Sequence, residues 1–128
     1  MDFHKFLVIA DDFTGANDCG VQFKEYGLSA VTILDKDNLK RVYDYDVVII
    51  DSETRNMTSE ESYGKSAEIG ACIKYLVNDG ILYKKIDSTL RGNIVPELEA
   101  LNNSIDPEII VFAPAYPGNK RTTVHGIQ

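Results

Sequence analysis

The chain alternates short apolar runs with longer stretches of mixed polarity. Two continuous apolar runs, 6–10 and 47–50, indicate strands that are buried on both faces, as in a parallel sheet. Residues 82–86 combine apolar and basic side chains, which suits a strand that leaves the sheet interior. The pattern as a whole predicts about five strands, over residues 6–10, 28–34, 47–50, 81–86 and 109–112.

The mixed stretches between these runs predict helices. They are a helix that ends at Tyr26 with Gly27 as its C-terminal cap, a helix over 59–78 and a helix over 90–102. Ser59 is expected to cap the second helix and Asp79-Gly80 to end it, and Pro96 lies near the first turn of the third. Residues 36–45 are polar and are expected to form a short helix or a loop. Strands that alternate with helices predict an α/β fold with three α/β/α layers, a largely parallel sheet and a Rossmann-like architecture.

Composition limits the class of protein. With 128 residues, 44% of them apolar and 26% charged, the chain has the size and balance of one soluble globular domain. No apolar run approaches the roughly 20 residues that span a bilayer, and the N-terminus does not have the form of a signal peptide. We therefore expect a single domain over residues 1–128, located in the cytoplasm.

Charge and cysteine content exclude further classes. The net charge of −7 argues against a general nucleic-acid or membrane-surface role. Cys19 and Cys72 each fall inside a predicted helix, which is typical of buried, reduced cysteine. Neither cysteine has a paired ligand spacing for zinc, and neither has a neighbouring base that would make it a nucleophile.

Polar clusters follow the predicted strands. Right-handed crossovers put these turns on one edge of a parallel sheet, where the ligands of open α/β sheets bind. The clusters are Asp11-Asp12, residues 51–55, residues 85–91 and the segment after Phe112. This placement predicts one site that is built from several loops at the carboxyl edge of the sheet.

The first cluster pairs two carboxylates. Asp11-Asp12 is a candidate general base or cation site, and one of the two needs a counter-charge or a proton because adjacent carboxylates repel. The alternative is that Asp12 only caps the following helix. Thr14-Gly15 adds a hydroxyl and an open backbone, both of which suit a polyol.

The second cluster is Asp51-Ser52-Glu53-Thr54-Arg55. Two carboxylates, two hydroxyls and a guanidinium in one turn suit the recognition of several hydroxyls and one carboxylate. The alternative is a solvated loop.

The third cluster begins at Lys85. Asp87, Ser88 and Thr89 each offer an oxygen that caps a helix. Arg91 provides a rigid fork for a carboxylate or phosphate, and Gly92 permits close approach of the backbone to a ligand. The alternative is a capped helix with solvated charges.

No nucleotide-binding fingerprint accompanies these clusters. Gly64-Lys65-Ser66 looks like the tail of a phosphate loop, but it lies inside a helix pattern and Ser59 stands where the first Gly belongs. The chain also stops without a closing helix, so we expect it to be the first part of a longer protein.

Three segments together resemble the four-carbon acid sugar kinase family. They are residues 9–18, residues 85–93, and residues 113–117 with Arg121-Thr122-Thr123; the turn at 51–55 fits as well. Members of this family phosphorylate threonate, erythronate or an oxo-tetronate with ATP. An N-terminal domain binds the acid and a C-terminal domain binds the nucleotide. The resemblance implies a chain that binds a sugar acid, depends on its own C-terminal domain for ATP and Mg²⁺, and has no kinase activity alone.

The resemblance also implies roles for single residues. Asp12, with Asp11 as the alternative, would take the proton of the accepting hydroxyl. Arg91 and Arg55 would bind the substrate carboxylate, and Lys85 would bind that carboxylate or the transferring phosphate. Hydroxyls of the acid would be bound by Asp51, Asp87, Ser88 and Thr89, and the remaining substrate-binding candidates are Thr14, Gly15, Ser52 and Gly92.

Two other functions remain open at this point. A phospho-acceptor receiver domain has a similar length and sheet, and its acidic and hydroxyl positions superficially fit Asp11-Asp12, Asp51 and Ser88 or Thr89. A receiver also needs a Lys after the fifth strand, where this chain has Ala113-Pro114. The third possibility is a sugar-acid-binding module without catalytic activity.

Overall fold

The computed structural model describes residues 6–42, 44–77 and 81–128. In this part of the chain a parallel sheet has the strand order β2-β3-β1-β4. The strands are β1 (Phe6–Ala10), β2 (Ala30–Ile33), β3 (Val47–Asp51) and β4 (Leu82–Lys85). The helices are α1 (Phe13–Glu25), α2 (Ser59–Ile73) and α3 (Ile94–Ile105), with short 3₁₀ helices at Lys36–Arg41, Lys74–Leu76 and Pro117–Asn119.

The register of the sheet brings three strand ends to the same level. Ala10, the last residue of β1, pairs with Asp51 at the end of β3 on one side. On the other side Ala10 pairs with Lys85 at the end of β4. The loops that follow these strands therefore leave the sheet next to one another, and they carry the candidate site residues.

The two faces of the sheet carry separate cores, because successive side chains of a strand point to opposite faces. Val8 and Ala10 of β1 pack with Ala16 of α1. Leu7 and Ile9 of the same strand belong to the other core, which includes Ile69, Ile73 and Leu101 of α2 and α3. Helices on both faces confirm the predicted three-layer α/β/α architecture. No helix within the described ranges is long and apolar enough to cross a membrane.

The expected fifth strand is wrong. Residues 109–112 have no strand partner among the described residues, and Ile109, Ile110, Val111 and Phe112 are 79%, 51%, 81% and 52% exposed. Strand preference reflects packing on a half-buried surface more than the backbone itself. All four side chains remain at least half exposed, and this apolar run of strand composition forms no ladder with the described strands.

Three predicted helix features also differ from the structure. Thr58, and not Ser59, caps α2, and it forms a capping box with Glu61. The third helix begins at Ile94 instead of residue 90, because residues 86–93 form a loop that Asp87 organises. Cys72 is exposed, so the expected burial holds for Cys19 alone. The predicted stop at Asp79-Gly80 lies outside the described residues.

Candidate functional site

Arg55 connects both acids of the first polar cluster. Its Nε donates to Asp11 Oδ2 at 2.8 Å and its Nη2 donates to Asp11 Oδ1 at 2.9 Å, which is the bidentate geometry that strengthens such pairs. Its Nη1 donates to Asp12 Oδ2 at 2.5 Å. The counter-charge expected for the acid pair is therefore Arg55, supplied by the loop after β3.

Asp11 and Asp12 differ in accessibility. The side chain of Asp11 is 3% exposed and that of Asp12 is 28% exposed. Asp12 also caps α1, since its Oδ1 accepts from the backbone N–H of Gly15 at 2.9 Å. Of the two candidate bases, Asp12 is the one that solvent can reach, and the same side chain caps α1.

Lys85 lies next to this acid pair on the α1 side of the sheet. Its Nζ donates to the carbonyl of Ile86 at 2.8 Å, and no carboxylate of the described chain lies within ion-pair distance. A Cβ on Gly15 would lie 2.6 Å from Asp12 Oδ1 and 3.4 Å from Lys85 Nζ. Gly15 thus leaves the room that lets a carboxylate and an ammonium group approach the same point.

Asp87 organises the loop between β4 and α3. Its carboxylate accepts from the backbone N–H of Thr89 at 3.1 Å and from the Thr89 hydroxyl. Arg91 donates to the same carboxylate through Nε at 3.0 Å and Nη2 at 2.9 Å. The Arg91 guanidinium, and after it the hydrogen bonds from Thr89, hold the pKa of Asp87 well below its usual range.

This low pKa predicts a loss of stability in acid. A carboxyl group whose pKa is lower in the folded state stabilises the fold above its unfolded-state pKa of about 3.9, and that contribution disappears as the pH falls below this value. We therefore expect the melting temperature of Asp87→Asn to depend less on pH than that of the wild type between about pH 5 and pH 2. Thermal unfolding followed by circular dichroism measures this, and parallel pH profiles of the two proteins would contradict it.

Gly92 brings the third loop against the first. Its φ is +96°, and a Cβ built there would lie 3.0 Å from Asp11 Oδ2 and 3.5 Å from Arg55 Cγ. A side chain at this position would be strained and would push against the ion pair. The close approach expected of Gly92 is thus made to the Asp11–Arg55 pair of the protein itself.

The other predicted hydroxyl-binding residues are placed unevenly. Ser52 is fully buried and donates to the carbonyl of Ala10 at 2.8 Å, beneath the site. Asp51 is 2% exposed, its Oδ1 accepts from the N–H of Glu53, and its Oδ2 has no partner in the described residues. Burial raises the pKa of the Asp51 carboxyl. Thr14 is exposed in the first turn of α1, while the Ser88 hydroxyl accepts from Arg121 Nη1 at 2.5 Å.

Sequence reasoning missed the long-range contacts of three residues, Lys84, Glu97 and Asn93. Lys84 Nζ lies 2.7 Å from Glu97 Oε2, and their side chains are 7% and 1% exposed. Successive side chains of a strand point to opposite faces of the sheet, so Lys84 and Lys85 cannot both face the same helices. This alternation could have revealed that one of the two lysines points toward α2 and α3 and needs an acid there. The third residue, Asn93, bridges two loops, and nothing in its sequence context signalled that contact.

The described residues contain no cluster of metal ligands, and residues 64–66 are part of a helix. No group of three His, Cys, Asp or Glu residues in the described ranges is placed to hold a metal ion. The adjacent acids Asp11 and Asp12 both form ion pairs with Arg55. Residues 64–66 lie in the middle of α2, so they form no phosphate loop.

Comparison with known proteins identifies relatives along nearly the whole chain. A family model described as "Sugar-binding N-terminal domain" matches residues 6–128. The D-erythronate kinase of Heliobacterium modesticaldum is 38% identical over 124 residues, which are 94% of this chain and 28% of that protein. The D-threonate kinase of Salmonella typhimurium is 38% identical, with 95% of this chain and 29% of that protein covered. The 3-oxo-tetronate kinase of Escherichia coli is 37% identical, with 95% and 32% covered.

A solved structure supports the fold. A domain of unknown function from Bordetella bronchiseptica, crystallised with bound citrate as a domain-swapped dimer, matches with a TM-score of 0.70 and 25% identity. The match covers 77% of this chain and 25% of that chain. The present chain spans less than a third of the length of each of the curated relatives named above. The family match decides against a receiver domain.

Proposed function

The chain belongs to the family of sugar-binding N-terminal domains, and from this premise we propose that it supplies the sugar-acid-binding part of an ATP-dependent four-carbon acid kinase. Relatives named for erythronate, threonate and 3-oxo-tetronate support this substrate class. The observation that carries the proposal is the position of Lys85, whose ammonium group lies beside Asp12 at the carboxyl edge of the sheet with only a carbonyl as its partner among the described residues. A cation and an accessible carboxylate at one point suit a ligand that has both a carboxylate and hydroxyls.

In this proposal the substrate carboxylate binds Lys85 first. Both arginines of the site already have acidic partners: Arg55 uses three nitrogens on Asp11 and Asp12, whereas Arg91 uses Nε and Nη2 on Asp87. Arg91 is 69% exposed and keeps Nη1 for a ligand, so it contributes a second contact from solvent. The citrate in the Bordetella structure also has carboxylate and hydroxyl groups, the two kinds of group that a sugar acid has.

Asp12 is proposed as the general base. Its partly exposed carboxylate accepts the proton of the attacking hydroxyl, and Arg55 holds that carboxylate in place. Phosphoryl transfer needs positioning and charge neutralisation, and little covalent chemistry from the protein. No binding site for ATP or Mg²⁺ is evident in the described residues, so we assign both to a further domain of the full-length protein. We place the protein in the cytoplasm.

Lys85→Met tests the binding role. The substitution keeps the side-chain stem and removes the ammonium group, so the affinity for D-erythronate or D-threonate should fall roughly tenfold to 100-fold, the worth of one charge-assisted hydrogen bond. Isothermal titration calorimetry measures this affinity. Lys40→Met, an exposed lysine in the first 3₁₀ helix, is the matched control and should bind like the wild type.

Erythritol provides the ligand control, because it has the hydroxyls of a four-carbon acid and no carboxylate. It should bind weakly to the wild type and be insensitive to Lys85→Met. If no four-carbon acid binds the wild-type chain, the proposed function is wrong. If the acids bind and Lys85→Met changes nothing, the carboxylate is bound by other residues.

A further inference from the structure

We propose that Asn93 is a positioning residue that joins the loop after β3 to the loop after β4 and thereby fixes Arg55 on Asp11 and Asp12. No role at the site is otherwise assigned to this residue. Its consequence for ligand binding rests on the proposed function, whereas its consequence for the position of Arg55 does not.

Both side-chain N–H groups of Asn93 donate to the loop after β3. Its Nδ2 donates to the carbonyl of Thr54 at 2.9 Å and to the carbonyl of Met57 at 2.9 Å. An amide nitrogen has two hydrogens, so its donor capacity is filled. The carbonyls are 39 and 36 positions away in the sequence, so this side chain is a long-range link and not a local turn.

The position of Asn93 makes these contacts unusual. Asn93 precedes α3 as its N-cap residue, and an Asn there ordinarily accepts from the first-turn N–H groups of the helix. Here the side chain makes no capping hydrogen bond, and its Oδ1 is 3.5 Å from the Ser59 hydroxyl, a long contact. The helix thus gives up the roughly 1 kcal/mol that such a cap contributes. We infer that the Asn93 side chain leaves α3 uncapped because it connects this loop to the loop after β3.

The two hydrogen bonds of Asn93 hold the chain on both sides of Arg55. Thr54 directly precedes Arg55 and Met57 follows it by two positions, so the two carbonyls fix the turn that presents the guanidinium. Gly92 directly precedes Asn93, and its backbone lies against Asp11 Oδ2 and Arg55 Cγ. Asn93 therefore holds together the two loop segments between which the Asp11–Arg55 pair is enclosed.

Few side chains can replace this amide. Asp has the same shape, but it has no donor when ionised and would place a negative charge against two carbonyl oxygens. Ala removes the donors, so the carbonyls of Thr54 and Met57 lose these hydrogen bonds. Because a buried or half-buried carbonyl without a partner is costly, either change should release the turn that contains Arg55.

The test compares Asn93→Asp and Asn93→Ala with Asn103→Asp. Asn103 lies on α3, is exposed, and donates only to the Tyr63 hydroxyl at 3.2 Å, so it controls for loss of an amide on the same helix. The first measurement is the Nε–Hε resonance of Arg55 in a ¹⁵N-edited NMR spectrum, assigned by its loss in Arg55→Lys. The second is calorimetric binding of D-erythronate.

We expect the Arg55 Nε–Hε resonance to shift toward that of a solvated guanidinium, or to broaden, in both Asn93 variants and to stay unchanged in Asn103→Asp. Affinity for D-erythronate should fall about tenfold, the worth of one hydrogen bond, because Asp12 loses the Arg55 contact that holds it against a ligand hydroxyl. An unchanged Arg55 resonance in a folded Asn93 variant overturns the inference. Unfolding of both Asn93 variants also overturns it, because Asn93 would then serve the fold as a whole.

The two proposals fail in different ways. If the wild type binds no sugar acid, the proposed function falls, and the Arg55 resonance still decides the role of Asn93. If the acid binds equally well to wild type and variants although the resonance has shifted, Asn93 positions Arg55 but Arg55 does not matter to the ligand, and the positioning role at the site is overturned.

Discussion

Asp12→Asn is expected to lower kcat of the full-length kinase by roughly 100-fold or more, the typical contribution of a positioned general base. Asn is nearly isosteric with Asp and can still accept from the Gly15 N–H, so the cap of α1 and the fold should survive. KM for the sugar acid should change little, because an amide still hydrogen-bonds a hydroxyl. A coupled assay of ADP release with D-erythronate, D-threonate or a 3-oxo-tetronate measures both constants.

Asp35→Asn is the matched control for this prediction. Asp35 also caps a helix, since its side chain accepts from the N–H of Asp37, and it is exposed after the edge strand β2, two strands away from β1. Its replacement should leave kcat within a few-fold of the wild type. If Asp12→Asn behaves like Asp35→Asn, Asp12 is only a cap.

Asp11→Asn answers the remaining question about the base. Asp11 is buried and both of its oxygens accept from Arg55, so we expect this change to act mainly on stability. If Asp11→Asn abolishes turnover in a protein that remains folded, while Asp12→Asn does not, the two roles are exchanged.

Glu97→Leu is expected to destabilise the chain by about 3–5 kcal/mol, because it leaves a buried ammonium group without its counter-ion. Lys84 Nζ lies 2.7 Å from Glu97 Oε2, and both side chains are almost fully enclosed between β4 and the helices. The Ser62 hydroxyl adds a hydrogen bond to Glu97 from α2 at 3.3 Å. The free energy of unfolding from urea titration measures the effect.

The double variant Lys84→Met/Glu97→Leu should recover most of this loss. Replacing a buried ion pair by apolar side chains of similar volume is often neutral or stabilising, whereas removing one partner is not. The exposed pair of Lys36 and Asp37 is the control, and Asp37→Ala should cost at most about 1 kcal/mol. A double variant as unstable as Glu97→Leu would show that the pair has a role beyond mutual neutralisation.

The strands and layers could be predicted because their signals are local. The apolar run 6–10 coincides with β1, and the run 47–50 extends by one residue to give β3. The run at 109–112 has the same composition and forms no strand, since a strand needs a partner and a covering layer as well as apolar side chains. Composition by itself does not say whether either is present.

The parts of the site were visible in the sequence, but their partners were not. Asp12 caps α1, which was one of the two alternatives, and its role as a general base stays a prediction. Arg55 and Arg91 were predicted to bind a substrate carboxylate, and the structure shows each of them on an aspartate of the protein. A charge pattern along the chain identifies groups that need an opposite charge, and it does not identify the group that provides it.

What the sequence by itself determined is the order of elements and the edge at which the polar residues gather. Both follow from periodicity and from the fixed hand of crossovers in a parallel sheet. Only the tertiary structure decided that Arg55 binds Asp11, that Lys85 remains available and that Asn93 joins two loops. These contacts join residues that are tens of positions apart, and they depend on the register of β1 with β3 and β4, which no local pattern specifies.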